Sequence, residues 1–228
     1  MSASRPAAFG LYARAACAVV TGVSVGLMLW AGQTHHRAFF RPLVPVASSG
    51  FVLLAVASGA HRTWYGRLVL LGLVFCWIGD VIGPGNFAAG TLSFLLGHIA
   101  FSGAFCTRSP SWPRLGRTAL GVLVSSGALF VWLYPHVPAE DRLLVVAYLV
   151  VISLMVVLAG GFSRGRAGGL IVTAAVLFYV SDIFVARWRF VAPGFVNGLF
   201  CYPIYYTACV LFAYTIAASR QQRSARPG

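Results

Sequence analysis

Eight apolar runs, each near the length of a membrane crossing, follow one another along this chain with only short connections between them. They lie at about 15–31, 43–60, 68–83, 88–106, 118–134, 143–162, 168–186 and 194–217. A helix needs roughly 20 predominantly apolar residues to cross the hydrocarbon. The runs fill most of the 228 residues, which are 59% hydrophobic and 9% charged, with a mean hydropathy of +0.84. A soluble domain carries roughly a quarter charged residues, so the chain reads as an integral membrane protein. The expected fold is all-α, a polytopic transmembrane helical bundle of about eight spans. One domain covers 15–218, between an N-terminal tail at 1–14 and a basic tail at 219–228. The first run stands where a signal peptide would, but lacks a small-x-small cleavage site and is counted as a span.

The net charge of +13 comes from seventeen arginines and no lysine. These arginines sit in short connections, where they set topology and meet lipid headgroups. With the N-terminus inside, the cytoplasmic segments hold Arg5, Arg14, Arg62, Arg67, Arg108, Arg114, Arg117, Arg164, Arg166, Arg220, Arg223 and Arg226. The outer connections hold Arg37, Arg41, Arg142, Arg187 and Arg189. Twelve against five predicts both termini in the cytoplasm, as an even number of spans requires, in a protein of the cell membrane. No basic stripe interleaved with aromatics occurs in a soluble segment, so nucleic acid is not an expected partner. The five cysteines form no CxxC pair and read as small apolar packing residues.

Glycine and proline mark several connections, at 83–85, 109–113, 134–138 and 192–194. Gly22 and Gly26, four apart, are candidates for a close helix approach. No internal repeat is apparent, which counts against an inverted-repeat transporter.

Only four residues are acidic. Glu140 and Asp141 fall in an outer connection, whereas Asp80 and Asp182 fall inside apolar runs. An aspartate at the centre of a membrane helix costs about 2.5–3.5 kcal/mol on insertion scales. Such a residue is shielded, paired or functional. Asp80 stands near the end of span three and Asp182 near the end of span seven, and odd-numbered spans all run outward. The two carboxyl groups are therefore expected at similar depth toward the outer face. If spans three and seven pack together, they face one cavity. Two carboxyls in a poorly solvated site do not both ionise readily, so one residue type can supply an acid and a base. The structural alternatives are a helix cap, a pair with Arg187 or Arg189, or a hydrogen bond to another span.

Several segments resemble, in order, the motifs of the YhhN family of membrane proteins, which includes the lysoplasmalogenases. "IGD" at 78–80 resembles a Gly-Asp motif closing span three, and "NFAAGTLSFLLGHIAF" at 86–101 a Phe-rich span four. "AYLVVISLMVVLA" at 147–159 resembles span six, "LFYVSDIFVARWRF" at 177–190 the Ser-Asp motif, and "YYTACVL" at 205–211 the last span. The resemblance covers roughly residues 40–218. Phe105 stands where the family usually has histidine, with His98 two turns earlier, and Cys209 stands where glutamine is usual.

The resemblance implies hydrolysis of the vinyl ether bond of a lysoplasmalogen-like lipid to a fatty aldehyde and a glycerophospho-alcohol, without a cofactor. Carbon protonation creates an oxocarbenium ion, water adds, and the hemiacetal collapses. This chemistry needs a well-placed acid, and an apolar pocket favours the neutral form of a carboxyl group. A second carboxylate stabilises the cation and activates water, as paired carboxylates do for glycosides. Asp80 and Asp182 are the candidates for these roles.

Tyr202, Tyr205 and Tyr206 are spaced by three and four, so Tyr202 shares a face with either of the others. They are candidates to orient headgroup or water, the alternative being an interfacial aromatic belt. Asn197 could join them or bond a helix end. Ser181 could line the site or bond a local carbonyl. Arg187 and Arg189 are candidate ligands of a lipid phosphate. His98 is a site-lining or structural residue. A metal site is not expected at it, because His35, His36, His61 and His136 fall in connections and leave too few ligands around it. Two other function classes remain open, a proton-coupled transporter or channel and a non-catalytic lipid-binding membrane protein.

Overall fold

The computed structural model describes residues 5–34 and 36–224. His35 and Arg226, read above as part of a connection and of the terminal segment, lie outside the described residues. The described chain forms eight helices: α1 (Arg5–Gln33), α2 (Arg37–Ala57), α3 (Trp64–Ile82), α4 (Phe87–Cys106), α5 (Trp112–Leu133), α6 (Arg142–Phe162), α7 (Gly165–Ala186) and α8 (Val196–Ser224). Each contains a stretch long and apolar enough to cross a membrane, and no strand occurs among the described residues. Helices satisfy their own backbone groups, which hydrocarbon cannot do for them. The chain is an all-helical integral membrane protein.

Consecutive helices pack as the hairpins α1–α2, α3–α4, α5–α6 and α7–α8. All connections between α-odd and α-even partners therefore gather at the end of the bundle opposite the termini. Half of the apolar window of α4 and of α8 is buried, against 6% for α5. Thus α4 and α8 are central and α5 is peripheral, held mainly by α6. Between the central helices the rings of Phe101 and Phe212 stack at 4.4 Å between centroids. Phe178 of α7 adds its ring at 6.2 Å from Phe101, and all three are fully buried.

Element limits differ from the apolar runs in several places. α1 begins at Arg5 and α8 ends at Ser224, so helix enters both segments expected as tails. Helical hydrogen bonding continues where apolar composition stops, and hydropathy marks only the part fit for hydrocarbon. α2 starts at Arg37 and carries Pro42 and Pro45 within the helix. Membrane helices tolerate such prolines because neighbouring groups meet the freed carbonyls. α7 continues through a π turn at Arg187–Val191, extending its span to Val191.

Gly22 and Gly26 do not mediate a close approach, since a Cβ on either would meet nothing within 4 Å. The close approach belongs to α3 and α4. A Cβ on Gly72 would overlap the Phe101 ring, and one on Gly79 would come within 2.7 Å of Phe94. One on Gly97 would sit 3.1 Å from the Gly72 carbonyl. Small residues facing one another let two backbones approach in lipid, and here they seat two phenylalanines of α4 on α3. Thr63 and Asn86 cap these helices by accepting from Gly66 and Ala89 N–H groups.

Replacing Gly72 by valine should destabilise the protein by about 1–3 kcal/mol through overpacking, read as a lower Tm in detergent. Gly121→Val, where a Cβ meets nothing within 4 Å, should leave Tm nearly unchanged. Equal effects at the two positions would refute this account of the α3–α4 contact.

Candidate active site

The end of the bundle opposite the termini encloses a largely apolar cavity of about 870 Å³. Both Asp80 and Asp182 line it, together with Tyr148, Tyr179, Tyr202 and Tyr205. Its aromatic and aliphatic walls include Phe40, Phe94, Ile152 and Trp188.

Spans three and seven are not a principal helix pair, contrary to the arrangement the expectation of a shared cavity invoked. Instead α8 packs against both, and α4 packs against α3. The two aspartates line the same cavity from two helices that both pack on α8. Asp80 lies in the last turn of α3, two residues before its end at Ile82. Asp182 lies nine residues before the end of its span at Val191.

Each carboxyl group is held by hydroxyls from other helices. Tyr205 of α8 donates to Asp80 Oδ2 at 2.8 Å, and Ser48 of α2 is hydrogen-bonded to the same oxygen. The Ser48 hydroxyl is 3.0 Å from the Val44 carbonyl and 3.2 Å from the Tyr206 hydroxyl. Ser48, Tyr205 and Tyr206 are all buried. At the second aspartate, Tyr148 of α6 donates to Asp182 Oδ2 at 2.7 Å. His98 Nε2 lies 3.7 Å from that same oxygen.

His98 is 1% exposed and does not line the cavity. Its ring packs edge-on against Phe178 at 4.7 Å and Tyr148 at 5.2 Å. It therefore stands behind Asp182. Phe105, two turns further along α4, is buried and packs near Phe212 at 6.0 Å. Cys209 is likewise buried, beside Cys76.

The remaining candidates separate into two groups. Tyr202 and Arg189 line the cavity. Arg189 is half exposed, 4.0 Å from Asp141 and 4.7 Å above the Phe87 ring. Tyr206, Ser181, Asn197 and Arg187 are not in the cavity wall. Tyr206 backs Ser48, and Ser181 donates to the Phe178 carbonyl at 2.6 Å. Arg187 donates to Asn197 Oδ1 at 2.5 Å. The Asn197 amide donates to the Ala192 and Gly194 carbonyls at 2.8 and 2.9 Å. Arg187 and Asn197 thus brace the turn between α7 and α8. The π turn keeps Trp188, Arg189 and Phe190 on the cavity side of that turn, a common setting for π turns. Among the described residues no three His, Cys, Asp or Glu side chains gather as a metal site.

The YhhN family model matches residues 36–216. The chain belongs to the YhhN family. Lysoplasmalogenase TMEM86A of Bos taurus is 31% identical over 166 residues, covering 67% of this chain and 66% of that protein. The lysoplasmalogenase of Mycobacterium tuberculosis is 32% identical over 153 residues, covering 61% of this chain and 57% of that protein. The chain thus spans less than two thirds of the length of these curated relatives. No solved structure matches it.

Within this YhhN chain, two hydroxyl partners of the aspartates, Tyr148 and Ser48, are not marked as site residues by the sequence. Tyr148 stands inside a family-like segment, and Ser48 in an apolar run without a motif. A lone hydroxyl in an apolar run carries no signal until the neighbouring helix is known. Ser48 and Tyr148 are separated from Asp80 and Asp182 by 32 and 34 positions, too far for any local pattern.

Asn197→Ala would strand the Arg187 guanidinium and two carbonyls of the α7–α8 turn. It should cost about 1–3 kcal/mol, measurable as a lower Tm in detergent with the helical content retained. An unchanged Tm would mean the turn is held by its aromatic packing.

Proposed function

We propose that this protein is a lysoplasmalogenase-like membrane hydrolase. It cleaves the vinyl ether bond of a single-chain, lysoplasmalogen-like lipid by aspartate acid/base chemistry. The observation that carries this reading is the pair Asp80 and Asp182 lining one largely apolar cavity. The names of the relatives point the same way, since two of them are called lysoplasmalogenases at about 30% identity.

The reaction divides into steps that two carboxyl groups can serve. One, in its neutral form, gives its proton to the β-carbon of the vinyl ether. A C–H bond forms there, the C=C π pair is consumed, and positive charge spreads over the α-carbon and the ether oxygen. Water bonds to the α-carbon and releases a proton to the second carboxylate. The second carboxyl group returns that proton to the ether oxygen as the hemiacetal C–O bond breaks. The hemiacetal hydroxyl gives its proton to the first carboxylate, which forms the aldehyde C=O and restores both groups. One water is consumed, and fatty aldehyde and glycerophospho-alcohol leave. The carboxylate that remains ionised also stabilises the cation, as in paired-carboxylate hydrolysis of glycosides. Either aspartate can serve either role, so the roles are assigned to the pair.

The neighbours have consistent tasks. Tyr205 and Ser48 orient Asp80, while Tyr148 orients Asp182 with His98 behind it. Tyr202 faces the cavity and is suited to position headgroup or water. Arg189, beside Asp141, is suited to receive the lipid phosphate. The arginine distribution supports both termini in the cytoplasm of a cell-membrane protein, with the cavity toward the outer face.

The full chain in membranes should release fatty aldehyde from lysoplasmalogen. Asp80→Asn and Asp182→Asn should each lower turnover by at least about 100-fold, the scale of general acid–base catalysis. Tyr148→Phe should lower it by about 10-fold or more. Full turnover in both asparagine variants would end the two-aspartate mechanism. Movement of lipid or protons across liposomes without aldehyde would favour a transporter, and lipid binding indifferent to both aspartates a non-catalytic role.

A further inference from the structure

The opposite end of the bundle, where the termini lie, has the reverse chemistry. All four acids of the chain, Asp80, Glu140, Asp141 and Asp182, belong to the cavity end. Arginines dominate the end with the termini, and no Asp or Glu is there to neutralise them. Their hydrogen bonds go to neutral groups. Arg114 donates to the Ser163 carbonyl, Arg164 to the Pro110 carbonyl and Arg117 to the Pro113 carbonyl. These contacts hold the guanidinium groups without balancing their charge. The counter-charge must come from outside the protein side chains.

At this end a second cavity of about 530 Å³ lies between α1, α7 and α8. Arg14 and Arg166 line it, as do Leu170, Leu211, Tyr214 and Ala218. Arg14 Nε donates to the Gly10 carbonyl at 3.0 Å, leaving both terminal amino groups of its guanidinium uncommitted by that bond. Arg166 makes no hydrogen bond or ion pair to another described residue. Two guanidinium groups beside an apolar trough match a ligand with an anionic head and a hydrocarbon tail. Basic pockets between membrane helices are known hosts of such headgroups. Guanidinium groups bind phosphate oxygens through paired N–H donors.

We propose that the groove between α1, α7 and α8 binds an anionic phospholipid. Arg14 and Arg166 hold the headgroup phosphate, and the Leu170–Leu211–Ala218 wall receives part of an acyl chain. This site is distinct from the cavity of Asp80 and Asp182, and it does not depend on what that cavity does.

The test uses the detergent-purified full chain, with Tm measured while phosphatidylglycerol, phosphatidylcholine or inorganic phosphate is added. A ligand that binds only the folded state raises Tm with concentration. Phosphatidylglycerol should raise Tm by several degrees, and phosphatidylcholine or inorganic phosphate should not. The increment should vanish in Arg14→Gln/Arg166→Gln and in Ala218→Phe, which fills the groove without changing charge. It should persist in Arg117→Gln, which removes an arginine of the same end outside the groove. Each increment is taken within one variant, so a lower starting Tm does not hide it. Equal stabilisation by phosphatidylcholine would overturn the proposal, as would stabilisation by phosphate alone. So would an increment that survives both groove variants.

Discussion

A carboxyl group inside an apolar bundle must find its hydrogen bonds on neighbouring helices, because lipid supplies none. At about 2.5–3.5 kcal/mol for each aspartate on insertion scales, this requirement organises the cavity end of the molecule. Asp80 draws Ser48 from α2 and Tyr205 from α8 to one oxygen. Asp182 draws Tyr148 from α6, with His98 of α4 behind it. With α3 and α7, which carry the aspartates, six of the eight helices meet around two side chains. The glycine-mediated approach of α3 to α4 and the stacked Phe101, Phe178 and Phe212 rings form the packing beneath them. The site is therefore built on the central helices, while α5 remains at the margin.

The same scarcity of acids gives the bundle two unlike ends. One end carries every carboxyl side chain, two of them lining a large apolar cavity, with Arg189 half exposed beside it. The other concentrates arginine around a smaller groove. An apolar cavity with two carboxyl groups suits acid and base chemistry on a lipid. An apolar groove with two guanidinium groups suits retention of an anionic one. The proposed functions of the two ends follow from that division of charge.

Much of the architecture was legible along the chain. Eight runs near crossing length announce eight helices, since hydrocarbon tolerates little else. Their limits were less legible at Arg5, Arg37 and Ser224, where helix runs past the apolar composition. Gly22 and Gly26 showed the spacing of a packing motif yet pack against nothing, while Gly72 and Gly97, on separate helices, make close contacts across α3 and α4. Spacing reports what shares a face of one helix, but not which face meets a neighbour. Arg187 and Asn197 likewise read as possible ligands but brace the α7–α8 turn.

By itself the sequence determined the helical membrane fold, the number of spans and the two aspartates that cannot be ordinary. Those features follow from the cost of polar groups in hydrocarbon, which acts on each residue where it stands. Only the tertiary structure decided that Asp80 and Asp182 share a cavity by way of α8 rather than by contact of α3 with α7. It also chose Ser48, Tyr205 and Tyr148 as their partners, and put His98 behind the cavity wall. Those choices depend on the rotation and order of helices far apart in the chain, and no local periodicity encodes them.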